Sequence, residues 1–243
     1  MNRYFTQQPL AIGAQVTLEA AIQKHAVKVL RQVAGDQLEL AHAGHAFVAT
    51  ITDVAPLTVQ VTQEITRAVE LPISVHLVCG VGKGDKAEWI VQKATELGAS
   101  RISFANTQWG TAKWAPEKVA KKLSRLQAVA QGAAEQSHRN VVPAVQFTKL
   151  DALQLDAQTA GVVAYEEAAK HGEAAQLVQT IRQHPQRLIA VFGPEGGLSP
   201  KEVADLSTIG FVPAGLGPRI MRTETAPLYL LSAISALVEL QEI

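Results

Sequence analysis

Hydrophobic and polar positions follow two different rhythms along the chain. In residues 1–71 they alternate at period two within short runs, as in Gln37–Leu40 and Leu57–Val61, and Phe47–Ile51 is a further strand candidate. Ala20–Leu30 interrupts these runs with helical spacing. This first pattern predicts a small β-barrel with one helix, ending at Leu71-Pro72.

From residue 72 onward, apolar runs of five to seven residues alternate with helical patterns. The predicted strands are Ile73–Cys79, Arg101–Ala105, Gly161–Tyr165, Arg187–Phe192 and Phe211–Leu216. The predicted helices are Gly84–Leu97, Pro116–Ala134, Glu173–Arg182, Pro200–Ser207 and Pro227–Gln241. Alternation of this kind predicts an α/β domain over residues 72–243 with a largely parallel sheet.

Composition narrows the class of protein. The single cysteine, Cys79, excludes an internal disulfide and a cysteine-based metal cluster, and its apolar run predicts a buried strand residue. No apolar run reaches the ~18 residues of a membrane span. The first seven residues lack the apolar core of a signal peptide, so we expect a cytoplasmic protein with no membrane partner. No metal-spaced histidines or carboxylates occur, and no metal is expected.

Charge is balanced overall but unevenly distributed. The 22 basic and 22 acidic residues cancel, which by itself argues weakly against nucleic acid. Residues 80–140, however, carry ten Lys or Arg against five Asp or Glu, whereas residues 141–243 carry seven against eleven. The middle of the chain therefore has room for a surface that binds an anionic ligand.

The glycine-rich stretch that begins at Gly80 imitates a dinucleotide-binding fingerprint. It follows a strand and opens a helix, but Asp85 stands where the third glycine of G-x-G-x-x-G belongs. A carboxylate there would repel a pyrophosphate, so we reject a Rossmann cofactor.

Two polar helical faces each allow two interpretations. In the helix predicted from Pro116, Lys118, Lys121, Lys122 and Arg125 share one side, which is either a solvated face or one that follows RNA phosphates. For the polar face of the helix predicted from Gly84, composition alone favours simple solvation over a binding role. At the end of the first of these helices, Arg139 is a better functional candidate than His138, since a guanidinium can clamp a phosphate or a base edge.

Two turns near the end of the chain carry the strongest signal. Gly193-Pro194-Glu195-Gly196-Gly197-Leu198-Ser199 leads into a helix with Ser199 as cap, Pro200 at its first position and Glu202 at its third. An ordinary strand-to-helix turn needs one glycine, whereas this one has three. Leu216-Gly217-Pro218-Arg219-Ile220-Met221-Arg222-Thr223-Glu224-Thr225-Ala226 places two arginines and a glutamate within six residues. Arg222 and Glu224 are either functional or a structural ion pair.

These two motifs resemble those of the bacterial ribosomal RNA small-subunit methyltransferase E family, within the SPOUT superfamily. The resemblance extends to Lys83–Lys86 with Glu88 and Gln92-Lys93, to Glu135-Gln136 with Arg139-Asn140, and to His25, Leu30-Arg31 and Gly35, and so covers essentially the whole chain. One departure is Leu40–Gly44, where the family usually has an Asp-Gly turn.

The resemblance implies a fold, a cofactor and partners. It implies an N-terminal PUA-like β-barrel over residues 1–71 and a SPOUT α/β domain with a C-terminal trefoil knot over residues 72–243. It implies S-adenosylmethionine as cofactor, held by residues of both turns and by the loop after Tyr165. The cofactor-binding residues so implied are Gly193, Pro194, Glu195, Gly196, Gly197, Leu216, Gly217, Arg219, Ile220 and Met221.

The implied activity is methylation of N3 of a uridine in small-subunit (16S) rRNA, within the ribosomal subunit, by a homodimer. Arg222 is the first catalytic candidate and Arg139 the second, while Glu224 is either the base or the residue that orients Arg222. The implied RNA-binding residues are Arg3, Arg31, Lys83, Lys86, Lys93 and Glu135. Two alternatives stay open: a knotted methyltransferase acting on another RNA, and a non-catalytic RNA-binding protein of ribosome assembly.

Overall fold

The computed structural model describes residues 1–170 and 175–240, which form two compact units. The first unit comprises Met1–Glu70 together with Ala134–Val142, and the second comprises Leu71–Ala133 with Pro143–Ile243. The segment from Ala134 to Val142 thus packs with the N-terminal residues. The sequence pattern, with its boundary at residue 71, places this segment in the second domain. The spacing of apolar residues along the chain does not reveal a contact between segments so far apart in sequence.

A five-stranded sheet forms the frame of the first unit. Its strands are β1 (Arg3–Phe5), β2 (Gln15–Thr17), β3 (Gln37–His42), β4 (His45–Val54) and β5 (Leu57–Ile65). They lie in the order β1-β3-β4-β5-β2, with β1 parallel to β3 and the other pairs antiparallel. A short helix, α1 (Ala20–Gln23), continues into a π-helical turn at Lys24–Val29, close to the predicted helix.

Side chains that alternate along these strands form the core of the first unit. Leu38, Leu40, Leu57 and Val59 are fully buried and pack with Ile22 of α1. The three predicted strands are confirmed; β1 and β2, of three residues each, are too short for a period-two signal.

The departure at Leu40–Gly44 is resolved as a tight turn between β3 and β4. His42 pairs with His45, so Ala43 and Gly44 are the two central residues, with φ of 50° and 84°. Positive φ at both positions is the type I′ geometry of two-residue hairpins. The register is therefore kept without the Asp-Gly pair, although alanine tolerates this conformation poorly.

A six-stranded parallel sheet forms the frame of the second unit. Its strands are β6 (Ser74–Gly80), β7 (Arg101–Ala105), β8 (Ala144–Thr148), β9 (Thr159–Ala164), β10 (Arg187–Phe192) and β11 (Val212–Ala214). Their order is β11-β9-β10-β6-β7-β8. The predicted α/β class with a parallel sheet is confirmed; β8, in which polar residues interrupt the apolar positions, was not predicted.

The helices largely follow their predicted segments. They are α2 (Lys86–Glu96), α3 (Pro116–Gln136), α4 (Glu166–Lys170), α5 (Gln176–Arg182), α6 (Pro200–Thr208) and α7 (Ala226–Val238). Ser199 and Glu202 form the predicted capping box at the start of α6. The predicted start of one helix at Glu173 and the predicted end of another at Gln241 lie outside the described residues.

Candidate active site at the carboxyl edge of the sheet

The register of the parallel sheet brings three loops to one edge. Ala164, at the end of β9, pairs with Phe192 of β10 on one side and with Ala214 of β11 on the other. The loops that follow these strands therefore start side by side and at the same level. They include both sequence motifs and the segment after Tyr165, as predicted for one site.

The turn after β10 is packed so tightly that side chains are excluded. A Cβ atom on Gly193 would lie 2.7 Å from the carbonyl carbon of Gly197, and one on Gly196 would lie 2.7 Å from the carbonyl oxygen of Trp109. Gly197 has a φ of 74°, which favours glycine. Gly80, part of the rejected dinucleotide motif, is needed because a Cβ there would overlap the Pro194 ring.

The loop after β11 has backbone groups that are available to a ligand. Among the described residues, no backbone hydrogen bond is donated by the N–H groups of Leu216–Met221. Arg219 and Arg222 are exposed and Ile220 is 78% exposed, while Gly217 has a φ of 92°. An extended loop with free N–H and C=O groups can bind a ligand through its main chain.

Lys86 joins the two motifs. Its Nζ lies 2.9 Å from Oε1 of Glu195 and 3.1 Å from Oε2 of Glu224. The same Oε1 accepts a hydrogen bond from the backbone N–H of Lys83, at 3.2 Å. Lys86, at the start of α2, therefore forms a clasp between the turn after β10 and the motif after β11. We call Lys86, Glu195 and Glu224 the lysine clasp.

The lysine clasp keeps its members charged. The hydrogen bond to Glu195, ahead of that to Glu224, raises the pKa of the Lys86 ammonium. Partial burial opposes ionisation of Glu224, but backbone hydrogen bonding and the Lys86 ammonium outweigh it and lower the pKa of that carboxyl. The pKa of Glu195 is lowered in the same way, against a desolvation that would raise it.

Arg139 and Arg3 lie in the first unit and are buried, each about 3–4% exposed. Arg139 pairs with Glu70, through Nε at 3.0 Å and through Nη2. Glu70 also accepts hydrogen bonds from the backbone N–H groups of Asn140 and Val141. Arg139 belongs to the first unit, whereas Arg222 belongs to the second.

Arg3 holds the same segment from β1. Its Nε lies 2.8 Å from Oε2 of Glu39, and its Nη1 donates to the carbonyl oxygens of His138 and Arg139 and to Oδ1 of Asn140. A guanidinium engaged in this way is not presented to a phosphate. The prediction that Arg3 contacts RNA therefore has no support in the structure, and we assign Arg3 to fixing residues 138–140.

The other predicted RNA-binding residues differ in exposure. Arg31 and Lys83 are exposed, Glu135 is half-buried, and Lys93 pairs with Glu96 at 2.8 Å. Lys86 lies inside the clasp and is not a free cation. For the exposed members, an RNA contact stays a prediction.

The sequence analysis did not single out Trp109. It assigned Glu202 to the cap of α6 and did not predict that this carboxylate also contacts the loop after β7. Trp109 lies in the loop after β7 and is 49% exposed, and Glu202 accepts a hydrogen bond from the backbone N–H of Gln108 at 2.8 Å. The available signal was an aromatic residue in a polar loop just past a strand.

A cavity of about 960 Å³ lies nearby, between the ends of β7 and β8, the start of α3, and α6. None of the predicted site residues is among its described lining residues.

The described residues include no cluster of His, Cys, Asp or Glu placed to hold a metal ion. None of the helices in the described ranges combines the length and apolar character that a bilayer span requires.

Two family models match the chain. An RNA methyltransferase domain matches residues 69–235, and an RNA methyltransferase PUA domain matches residues 18–64. The two matches do not overlap, and the methyltransferase match begins at residue 69, three residues before the change of pattern at residue 72.

Relatives resemble the chain over its whole length. Ribosomal RNA small subunit methyltransferase E of Bacillus subtilis is 40% identical, with 99% of this chain and 98% of the relative covered. The crystal structure of the Neisseria gonorrhoeae protein of that name, bound to S-adenosyl methionine, is 29% identical, with a TM-score of 0.83 and 98% of each chain covered. A putative methyltransferase from Legionella pneumophila, in complex with bound SAM, is 29% identical, with a TM-score of 0.79 and 96% of each chain covered.

Proposed function

Since this chain belongs to the ribosomal RNA small subunit methyltransferase E family, we propose that it methylates N3 of one uridine in small-subunit rRNA, with S-adenosylmethionine as donor. The observation that carries the proposal is the edge where the loops after β9, β10 and β11 start at one level. Both motifs that resemble the family's lie at this edge.

The residues at this edge fit S-adenosylmethionine. The free N–H and C=O groups of Leu216–Met221 suit an adenine edge and a ribose, and the glycines of residues 193–197 bring a second main-chain segment close. Exposed Ile220 supplies apolar surface. When bound, the cofactor supplies a sulfonium methyl group, which transfers without a metal.

Arg222 is the residue that we assign to the acceptor base. Uracil N3 becomes nucleophilic as its proton passes to solvent water, and negative charge then spreads onto O2 and O4. An exposed guanidinium beside these oxygens stabilises that charge most strongly in the transition state. Arg222 lies in the loop after β11, directly past the residues that we assign to the cofactor.

Glu224 serves as an orienting residue rather than as the base. Its carboxyl is held ionised by Lys86 and lies two residues from Arg222, whose charge also lowers the pKa of Glu224. A carboxylate with a lowered pKa is a weak acceptor for a uracil proton. We therefore assign Glu224 to the lysine clasp, from which its negative charge attracts the Arg222 guanidinium.

The partner is small-subunit rRNA within a ribosomal subunit, with the target uridine unstacked for access. The PUA domain and the exposed Arg31 and Lys83 support RNA binding, which should weaken as salt rises.

We further propose a cytoplasmic homodimer; the exposure of Ile220 (78%) and Tyr229 (41%) beside the site supports a second copy there. Sedimentation equilibrium tests the dimer.

The test uses small ribosomal subunits that lack the modification, S-adenosylmethionine with an isotopically labelled methyl group, and mass spectrometry of the product nucleosides. We expect one labelled 3-methyluridine per subunit. Arg222→Ala should reduce turnover at least a hundredfold with cofactor affinity within threefold of wild type, the scale of losing one preorganised donor. Equal losses in both would make Arg222 a cofactor-binding residue, and a different labelled nucleoside or RNA would contradict the assigned target.

A further inference from the structure

The loop between β7 and α3 presents a large aromatic side chain to solvent. Trp109 is 49% exposed, whereas Trp114, five residues on, is 7% exposed and packs against Phe104 and Phe147 with ring centroids 5.1 and 5.8 Å apart. The two indoles of one loop thus have opposite surroundings. Trp114 is part of the core, and Trp109 is left with a free ring surface.

The loop that carries Trp109 is held rigidly. The side chain of Asn106 closes it, with Oδ1 accepting from the backbone N–H of Trp114 at 2.9 Å and Nδ2 donating to the Trp114 carbonyl at 3.1 Å. Glu202 fixes its tip, because Oε1 binds the N–H of Gln108 while Oε2 belongs to the capping box of α6. The exposed indole is therefore presented by a fixed backbone.

The position of the loop places Trp109 beside the active site and away from the cofactor-binding loop after β11. Its carbonyl oxygen and its Cβ would lie 2.7 and 3.5 Å from a Cβ on Gly196, so the two loops touch. In the strand order β11-β9-β10-β6-β7, however, β7 lies two strands from β10 on the side opposite β11. At about 4.8 Å per strand, the end of β7 lies roughly 10 Å from the end of β10. The loop after β7 crosses this distance to bring Trp109 against Gly196.

We propose that the indole of Trp109 stacks on an unpaired base of the substrate RNA, next to the uridine that is methylated. The inference rests on the proposed function, because it places this base relative to the acceptor. Single-stranded RNA is recognised by stacking of its bases on exposed aromatic rings. A rigid loop makes such a platform effective, since little ordering is needed when the RNA arrives.

The first experiment compares Trp109→Ala, Trp109→Phe and Trp89→Ala. Trp89 is the matched control because it is 51% exposed and lies on α2, with the Lys93 ammonium 5.6 Å from its ring. With unmodified small subunits as substrate, Trp109→Ala should raise KM for the subunit roughly tenfold, the scale of one lost base stack. Trp109→Phe should stay within threefold of wild type, and Trp89→Ala within twofold.

Further measurements separate stacking from other roles. The Kd for S-adenosylmethionine and the oligomeric state of Trp109→Ala should equal those of wild type. Weaker cofactor binding would place the indole in the cofactor site, and a changed oligomeric state would place it between two copies of the chain. Either result, or equal effects of Trp109→Ala and Trp89→Ala, would overturn the proposal.

A binding measurement keeps the test independent of activity. In a Trp89→Phe background, a ten-nucleotide single-stranded oligouridylate should quench the indole fluorescence, and Trp109→Phe should abolish most of the quenching because Trp114 is buried. If wild type forms no 3-methyluridine but the quenching is seen, the proposed function fails and the stacking platform stands. If wild type is active and no quenching occurs, the platform fails alone.

Discussion

Nζ of Lys86 lies 3.1 Å from Oε2 of Glu224, and through this contact the first turn of α2 is tied to the motif after β11. The same ammonium holds Glu195 at 2.9 Å. A lysine that resembles an RNA contact in the sequence thus connects the turn after β10 with the motif after β11.

Replacing Lys86 tests this role. Lys86→Met should lower kcat/KM about tenfold, because Glu195 and Glu224 lose the charge that fixes them. Stability should change by only about 1 kcal/mol, because all three side chains of the clasp keep some contact with solvent. Hydrogen exchange at residues 193–197 and 216–226 should accelerate. The control is Lys201→Met, which removes a surface ion pair with Asp205 on α6.

The salt dependence of RNA binding distinguishes the two roles of Lys86. A residue of the clasp leaves the slope of log K against log salt unchanged when it is replaced, whereas loss of a phosphate contact lowers the slope by about one. A lower slope for Lys86→Met, with unchanged hydrogen exchange in both loops, would contradict the clasp and restore the RNA contact.

The pH dependence of turnover tests the role of Glu224. Its pKa is lowered from 4.5, so the carboxyl stays ionised over the whole range of about pH 6–9 in which activity is measured. Glu224→Gln should therefore reduce kcat without altering the shape of the pH–rate profile. Loss of an acidic limb in that variant would identify Glu224 as the base instead.

Arg139 is buried and its partner Glu70 is 32% exposed, and breaking their ion pair should destabilise the first unit. Arg139→Ala leaves Glu70 without its guanidinium, at a cost of about 1–3 kcal/mol, because water can reach the partly exposed carboxylate. Glu70→Gln keeps an acceptor for the two backbone N–H groups but loses the charge. If the pair is structural, both variants should lower the denaturation midpoint and should affect turnover in proportion.

The alternative for Arg139 is the catalytic role predicted from the sequence. If Arg139 is catalytic, Arg139→Lys should be as stable as wild type but lose at least a hundredfold in kcat. Glu70→Gln should then remain active. Urea denaturation and turnover of the same preparations decide between the two.

His76 should make the stability of the second unit depend on pH. Burial, with a smaller contribution from Arg101, lowers its pKa from 6.5 to about 4, and its Nε2 lies 2.8 Å from Oγ of Ser103. The unfolded chain therefore binds a proton between these two values and the folded chain does not. Stability should fall as pH drops from 6.5 towards 4, by at most about 3 kcal/mol.

His76→Gln is the control for this titration, because glutamine keeps a polar contact with Ser103 and cannot take up a proton. Its urea midpoint should change less between pH 7 and pH 5 than that of wild type. An identical change in both proteins would show that other groups carry the pH dependence.

The sequence by itself determined most of the elements of the second unit and the longer strands of the first. Apolar runs of five to seven residues fixed most strands of the parallel sheet, Ser199 and Glu202 fixed the start of α6, and the isolated Cys79 proved to be a buried, unpaired strand residue whose pKa is raised to about 12. These features depend on neighbours along the chain, so local patterns contain them. The two glycine-containing motifs likewise predicted the site that we propose, because their spacing is local.

Only the tertiary structure decided which side chains are free. The ion-pair partners described above for Arg3, Lys86 and Arg139 lie far away in the sequence. They are Glu39, Glu195 with Glu224, and Glu70. Conversely, Trp109 and Trp114 look alike in the sequence, and packing buries one and exposes the other. The physical reason is that exposure and ion pairing depend on contacts between segments far apart in the chain, which periodicity does not encode.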